Sequence, residues 1–503
     1  MDVRVRSDPA DEASPLGWRY YLLLGALAAG LAAYLIWAAS FQWFFADDFV
    51  FLLLAQQNRS WWDVLLPIRG RLWWSYRPLT IDVFFSAAYS VFGLRPFGYL
   101  VISQAVHLAV GAVVYRLCRQ LGVSVPVAVA AAIFSRFRYP SMSEIMWASV
   151  FQYTGTVFFS TLSVSLFLDW LRLGKYRFHF TALAFFVLAL LSNEWAVGIP
   201  MVLAVASVLF RRATLSRWGS GWRSFLDVLP FALVAAAFIV ARLFIFGPPA
   251  MKGPPAYNLE FGVNVPRNLW VLAQACLDGR VQTAVFFLPL LILLARAALG
   301  NGSGTRKVWA PLKPVSLVSV AWAFGVSLPV AMLGFVHPRQ AIPWEVPLSI
   351  LWGGVVDVCR RSLGIGHRKV SDLVLAGALA AAVPYGALRE AVLAPRGQLA
   401  KTLIHQLGDP RMHVPAGSRV IVLYGGQGMG TRRDAERMRV EIFGGAALRV
   451  WYPQKALTFE IHEASELLDP QSSKNGPIVL FMLTSGGEIK PLDSATERVR
   501  VAR

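Results

Sequence analysis

The chain has 503 residues, of which 56% are hydrophobic and 15% charged. About a quarter of a soluble globular domain is charged, so this composition excludes an ordinary water-soluble enzyme. The net charge of +19 would suit nucleic acid, but its distribution excludes that partner. Lys and Arg gather in short turns between apolar runs, as the positive-inside rule expects of a membrane protein.

Apolar runs of about 20 residues recur along the chain, each long enough to cross a bilayer. The fold class they predict is a polytopic α-helical membrane protein with about eleven transmembrane helices. Residues 1–16 are polar and mixed in charge. The first span, 17–40, is too long for a signal peptide's apolar core and should remain as an anchor. Arg4, Arg6 and Arg19 set the N-terminus in the cytoplasm, so Asp47 and Asp48 fall on the outer face. An outer segment over 41–97 is rich in Trp and Arg. It suits helices lying in the headgroup region, and Leu79 to Phe92 reads as interfacial or re-entrant.

Spans two to seven are expected at 98–118, 122–138, 150–171, 178–192, 196–211 and 225–246. A Pro-rich outer loop covers 247–279, and spans eight to eleven fall at 281–298, 314–335, 341–358 and 371–392. Every cytoplasmic turn in this scheme carries at least two basic residues. Residues 1–395 thus form one membrane domain. From 396 onward, short apolar runs at 419–424, 448–452 and 477–483 alternate with a helical pattern at 434–443. That alternation predicts a small α/β domain over 396–503, and the odd span count puts it outside the cell.

Asp47 and Asp48 are adjacent acids just past the first span. Charge beside hydrocarbon is costly. Mutual repulsion should push the two pKa values apart, leaving one ionised and one protonated. Such a pair suits general-base work, and it also suits Mg2+ or Mn2+. Glu144 and Glu194 end spans on the same outer face, and the four carboxylates are expected to converge. Arg77, His337 and Arg339 sit on outer segments as well, and Arg is suited to bidentate phosphate binding. His107 lies inside a span and reads as a packing residue. The three cysteines, Cys118, Cys276 and Cys359, form neither a metal-ligand spacing nor a disulfide framework. The run Gly425 to Gly430 follows a strand pattern and precedes a helix pattern. Its spacing is not GxGxxG, so it reads as a turn.

Several of these stretches come in a telling order. Asp47-Asp48 is followed by Tyr76-Arg77-Pro78-Leu79-Thr80 and by Val91-Phe92-Gly93-Leu94-Arg95-Pro96-Phe97-Gly98-Tyr99. Next come a span ending in a basic turn and Tyr139-Pro140-x-x-x-Glu144. This resembles the GT-C superfamily of integral-membrane glycosyltransferases, and within it the protein O-mannosyltransferase-like branch with its bacterial members. The resemblance runs over about residues 17–350. In that family an acidic motif in the first outer loop supplies the catalytic carboxylate, which maps onto Asp47-Asp48. The HPxxxE motif maps onto Tyr139 to Glu144, with Tyr in place of His. The Lys-Glu motif maps onto Asn193-Glu194, and the late Arg-Tyr motif onto Arg339-Gln340.

The resemblance implies transfer of a sugar from a polyprenyl-phosphate donor to an acceptor hydroxyl on the outer face, with inversion and an Asp as general base. It implies a multi-pass protein of the inner (plasma) membrane and an acceptor that is a lipid, a polysaccharide or a protein. It is compatible with a divalent ion, Mg2+ or Mn2+, on Asp47 and Asp48, which some members of the family use and others do not. Arg77, His337 and Arg339 are the residues for the donor phosphate, with Glu144 and Glu194 beside the substrate. The rival reading is a transporter or flippase of a lipid-linked sugar.

Overall fold

A computed structural model describes residues 18–57, 77–136, 146–212, 217–246, 262–277, 312–332, 338–362, 397–409, 414–425, 429–464, 477–485 and 488–492, with a few residues between 287 and 379 besides. The chain is a polytopic α-helical membrane protein. Among the described residues, 7 helices are long and apolar enough to cross a bilayer.

The first of these, α1, is Trp18–Ala39, and after the acid loop a short helix α2 covers Asp47–Gln57. A π-helical turn at Pro78–Val83 leads into α3, Phe84–Phe92. This piece packs on α2 and on the start of α4, Pro96–Gln120, without running the length of the bundle. Then follow α5 (Val125–Arg136), α6 (Phe151–Leu173), α7 (Tyr176–Ser192), α8 (Ile199–Arg212) and α9 (Arg217–Phe246). Beyond these lie α10 (Asn264–Leu277), α11 (Leu312–Ala331) and α12 (Glu345–Ser362).

The expected spans one to seven, nine and ten each coincide with one of these helices. Spans eight and eleven lie largely outside the described residues. Helix α5 has 12 residues. Its described part covers about 18 Å at about 1.5 Å per residue, and residues 137–145 lie outside the described residues.

Side chains turned outward are apolar, among them Leu22, Trp37, Phe180, Leu233, Val320 and Phe324. A soluble bundle would bury that face, whereas lipid solvates it. Inside, close helix approach is set by small residues. A Cβ built on Gly198 would lie 2.0 Å from the carbonyl oxygen of Gly325, so only glycine lets the start of α8 meet α11.

At one end of the bundle Arg116 pairs with Asp169, Arg211 with Asp227, Arg360 with Asp372 and Arg361 with Asp357. Helix α4 starts beside the acid loop, where Tyr99 packs 5.2 Å from Phe44. Its last turn carries Arg119, some 35 Å away at about 1.5 Å per residue. The Arg–Asp pairs and the acid loop therefore occupy opposite ends.

The C-terminal domain is α/β, as its sequence pattern suggests. It contains α13 (Gln398–Leu407), β1 (Arg419–Tyr424), α14 (Arg432–Ile442), α15 (Ala446–Trp451), β2 (Thr458–Glu463), β3 (Ile478–Leu483) and β4 (Ile489–Pro491). The strand order is β2-β1-β3-β4, with β1 parallel to both neighbours and β4 antiparallel to β3. One expectation fails. Residues 448–452, read as a strand, belong to α15 except for Tyr452. A five-residue apolar run does not distinguish a strand from a buried helical turn. Here Gly444 and Gly445, with φ of 57° and 93°, turn the chain into a helix that buries Ala446, Ala447, Leu448 and Val450.

Substituting Gly198 by Val should lower the melting temperature of the solubilised protein, because a side chain has no room against the Gly325 backbone. Overpacking of this kind costs about 1–3 kcal/mol or more, and a thermal-shift measurement in detergent reads it directly.

Candidate functional site

The acid loop is bent at Ala46, whose φ of 49° is left-handed. L residues rarely adopt that region, and a strained residue next to two acids is a common mark of a functional site. The bend starts α2 at Asp47 and sends the two carboxylates to different surroundings.

Asp48 turns inward and is 1% exposed. Its Oδ2 accepts the Phe45 N–H at 3.0 Å, and its Oδ1 accepts the Ser149 N–H at 2.7 Å. Trp147 Nε1 donates to the Phe45 carbonyl at 3.0 Å. The acid loop is thereby tied to the residues that start α6. Burial pushes the Asp48 pKa up to about 8, the neighbouring Asp47 charge adds to the rise, and the two amide donors oppose it.

Asp47 turns toward Arg339, with its side chain 27% exposed and Oδ2 lying 3.6 Å from Arg339 Nη1. Its pKa is also raised by burial, while Arg339 and then Arg77 pull it back. Burial thus raises both acids, while the guanidiniums act against the rise at Asp47 and backbone N–H groups do so at Asp48. The Arg339 guanidinium lies over two aromatic rings, 4.7 Å from the centroid of Trp147 and 6.0 Å from that of Tyr153. Tyr153 in turn stacks on Trp195 with centroids 4.7 Å apart. These faces hold the cation in place without neutralising it.

A second cluster adjoins the first. Arg77 is 5% exposed, and it grips Glu194 with Nε and Nη2 at 3.1 and 2.8 Å. Its Nη1 donates to Gln152. Arg242 Nη1 reaches the same Glu194 at 3.4 Å. Gln152 and Tyr153 are consecutive on α6, so one helix start serves both clusters. Among the described residues, three guanidiniums (Arg77, Arg242, Arg339) thus face the carboxylates of Glu194 and Asp47.

The structure therefore brings together Asp47, Asp48, Arg77, Glu194 and Arg339. Glu144 and His337 lie outside the described residues. The sequence reading missed Arg242, Gln152, Trp147 and Tyr153. Arg242 could have been found, since an Arg near the end of a long apolar run is costly unless it has a role. The other three carry no signal in sequence, because their part comes from which way α6 faces. His107 is a packing residue, with Nε2 2.7 Å from the Arg136 carbonyl oxygen.

The donor set does not fit a divalent ion on Asp47 and Asp48. Both Asp48 oxygens are taken by backbone N–H groups, Asp47 faces a guanidinium, and no group of three metal-ligating side chains occurs among the described residues. The helix start that follows the glycine run is equally unsuited to phosphate. The start of α14 is closed by a capping box in which the Thr431 hydroxyl and the Asp434 carboxylate satisfy each other's backbone N–H groups. An acid already stands where an anion would bind.

No family model matches the chain. Over 138 residues it is 29% identical to competence protein ComA of Neisseria gonorrhoeae, a match covering 27% of this chain and 17% of that protein. The chain thus spans less than a fifth of the curated relative it matches. Among solved structures it is similar to ArnT from Cupriavidus metallidurans bound to undecaprenyl phosphate. The identity is 13% and the TM-score 0.48, over 92% of this chain and 90% of that one. It is also similar to the oligosaccharyltransferase AglB from Archaeoglobus fulgidus in complex with an inhibitory peptide and a dolichol-phosphate. There the identity is 14% and the TM-score 0.48, over 80% of this chain and 62% of that one. Both scores fall below 0.5.

Asp48 binds more protons folded than unfolded between its ordinary value of 3.8 and about 8. Its contribution to stability therefore declines as pH rises through that window. The wild-type chain should melt at lower temperature at pH 9 than at pH 6. Asp48→Asn, which mimics the neutral carboxyl, should flatten the profile. Equal slopes for the two proteins would show that Asp48 is ionised throughout.

Proposed function

We propose that this chain is a GT-C-type glycosyltransferase of the plasma membrane that moves a sugar from a polyprenyl-phosphate donor to an acceptor hydroxyl. The observation that carries the reading is the pairing of one partly exposed carboxylate, Asp47, with one guanidinium, Arg339, at the mouth of an apolar helical bundle. A base for the nucleophile and a cation for the leaving group stand side by side, where a lipid tail can lie against apolar helices.

In this reading Asp47 takes the proton from the acceptor hydroxyl. The oxygen forms its bond to the anomeric carbon from the face opposite the phosphate. The carbon–oxygen bond to the phosphate breaks, and its electron pair leaves on the lipid phosphate. Attack from the opposite face inverts the anomeric centre. Arg339 stabilises the charge that develops on that phosphate. Asp48 supports this by holding the loop, since its oxygens are engaged with Phe45 and Ser149.

Arg77 was expected at the phosphate. Its donors face Glu194 and Gln152, which suits a part in the positive field of the site and in fixing the start of α6. Glu144 and His337 complete the proposed substrate-binding set. The basic end of the bundle would face the cytoplasm, and the acid loop with the C-terminal domain the outer side. The mannosyltransferase-like branch is the family this site would fit, with a lipid, polysaccharide or protein acceptor.

Labelled polyprenyl-phosphate sugars supplied to membranes test the reading. Wild type should release label from the lipid. Asp47→Asn should slow release by about 10²–10⁴-fold, the usual worth of a general base. Arg339→Ala should slow it by about 10²–10³-fold, as loss of an electrostatic stabiliser does. Transfer that survives Asp47→Asn at the wild-type rate would remove Asp47 as the base. Absence of release from any donor would remove the transferase reading and favour transport of a lipid-linked sugar.

A further inference from the structure

The C-terminal domain is docked directly on the acid loop. The Ala46 N–H donates to the carbonyl oxygen of Glu441 at 3.2 Å. Glu441 lies in the last turn of α14, where carbonyls have no partner within the helix, so the acid loop supplies the missing donor. Gly397, with φ of 74°, brings the chain so close that an added Cβ would lie 2.3 Å from the Phe44 carbonyl oxygen. The Trp451 ring packs at centroid distances of 5.7 Å from Trp43, 6.0 Å from Phe44 and 5.9 Å from Phe49. These contacts bracket Ala46 on both sides in sequence. Gln56, at the far end of α2, donates to the Val450 carbonyl at 3.1 Å, so both ends of the helix touch the domain.

Ala46 itself is left-handed without being glycine. Such a conformation persists only where its surroundings over-determine it. The surroundings here come in large part from residues more than 350 positions later. We propose that the C-terminal domain is a positioning element for the carboxylate at position 47. Glu441 through its carbonyl, Gly397 through its lack of a side chain and Trp451 through its ring hold Ala46 left-handed, and so aim Asp47 toward Arg339. None of the three is placed against substrate. The inference rests on the transferase reading above.

The full-length protein, purified in detergent, tests it with Trp451→Ala and Gly397→Ala. Each should lower kcat for sugar transfer by about 10- to 100-fold, the usual consequence of a misplaced catalytic group. KM for the lipid donor should stay within about twofold of wild type, because the donor's own contacts are intact. Hydrogen exchange over residues 44–49 should speed up in both variants, and Trp451→Phe should behave like wild type. Adding Ala46→Gly to Trp451→Ala should recover part of the lost kcat, because glycine takes a left-handed conformation without a clamp. A merely structural defect would not respond to that change. An unchanged kcat in both variants, in a protein whose activity Asp47→Asn removes, would overturn the inference and leave the transferase standing. A raised KM with unchanged kcat would overturn it too, assigning the domain to substrate binding. A wild-type chain that transfers no sugar would overturn both.

Discussion

The site depends on a carboxylate that meets no solvent. Asp48 accepts N–H groups from Phe45 and Ser149, residues 104 positions apart, and joins the first outer loop to the start of α6. Everything else at the mouth of the bundle is referenced to that joint. Trp147 and Tyr153 flank it and carry Arg339, and Gln152 orients Arg77. Burial makes the joint sensitive to charge, and protonation of Asp48 relieves it. Two neighbouring acids thus divide by environment: one is held by backbone N–H groups while the other faces a guanidinium.

Charge is arranged along the bundle in two different ways. At the basic end, Arg–Asp pairs close the turns between α4 and α6, α8 and α9, and around α12. Those pairs link consecutive or neighbouring helices and fix their register. At the other end, among the described residues, Arg77 and Arg242 share Glu194, and Arg339 faces Asp47 while lying on aromatic faces. Aromatic support holds a cation beside hydrocarbon without itself cancelling the charge. An anionic headgroup on an apolar tail matches that combination of surfaces.

The acid loop is built from both ends of the chain. Its inner side is set by α6 and its outer side by the C-terminal domain, through Glu441, Gly397 and Trp451. The small domain has a core of its own on one face of β1 and β3, with Ile421, Leu423 and Leu480, while Val420, Val422 and Phe481 belong to a core continuous with the bundle. It still shares aromatic packing with Trp43, Phe44 and Phe49, so its position is tied to that of α2.

Much of this was legible in the order of residues. Long apolar runs with basic turns determine a multi-pass helical protein, because lipid leaves backbone groups no partner outside the helix. Positions such as Asp47, Asp48, Arg77, Glu194 and Arg339 stood out because charge next to hydrocarbon needs a reason. Arg419–Tyr424 and Ile478–Leu483 were recognisable as strands from their apolar, β-branched composition. The tertiary structure alone decided the rest. Which acid faces inward depends on the left-handed turn at Ala46, and that turn depends on contacts from residues near 397, 441 and 451. The helical state of Ala446–Trp451 depends on a two-glycine turn and on burial that a short apolar run does not encode. Composition and periodicity are properties of neighbours along the chain, whereas the direction of a carboxylate is set by partners that only folding brings near.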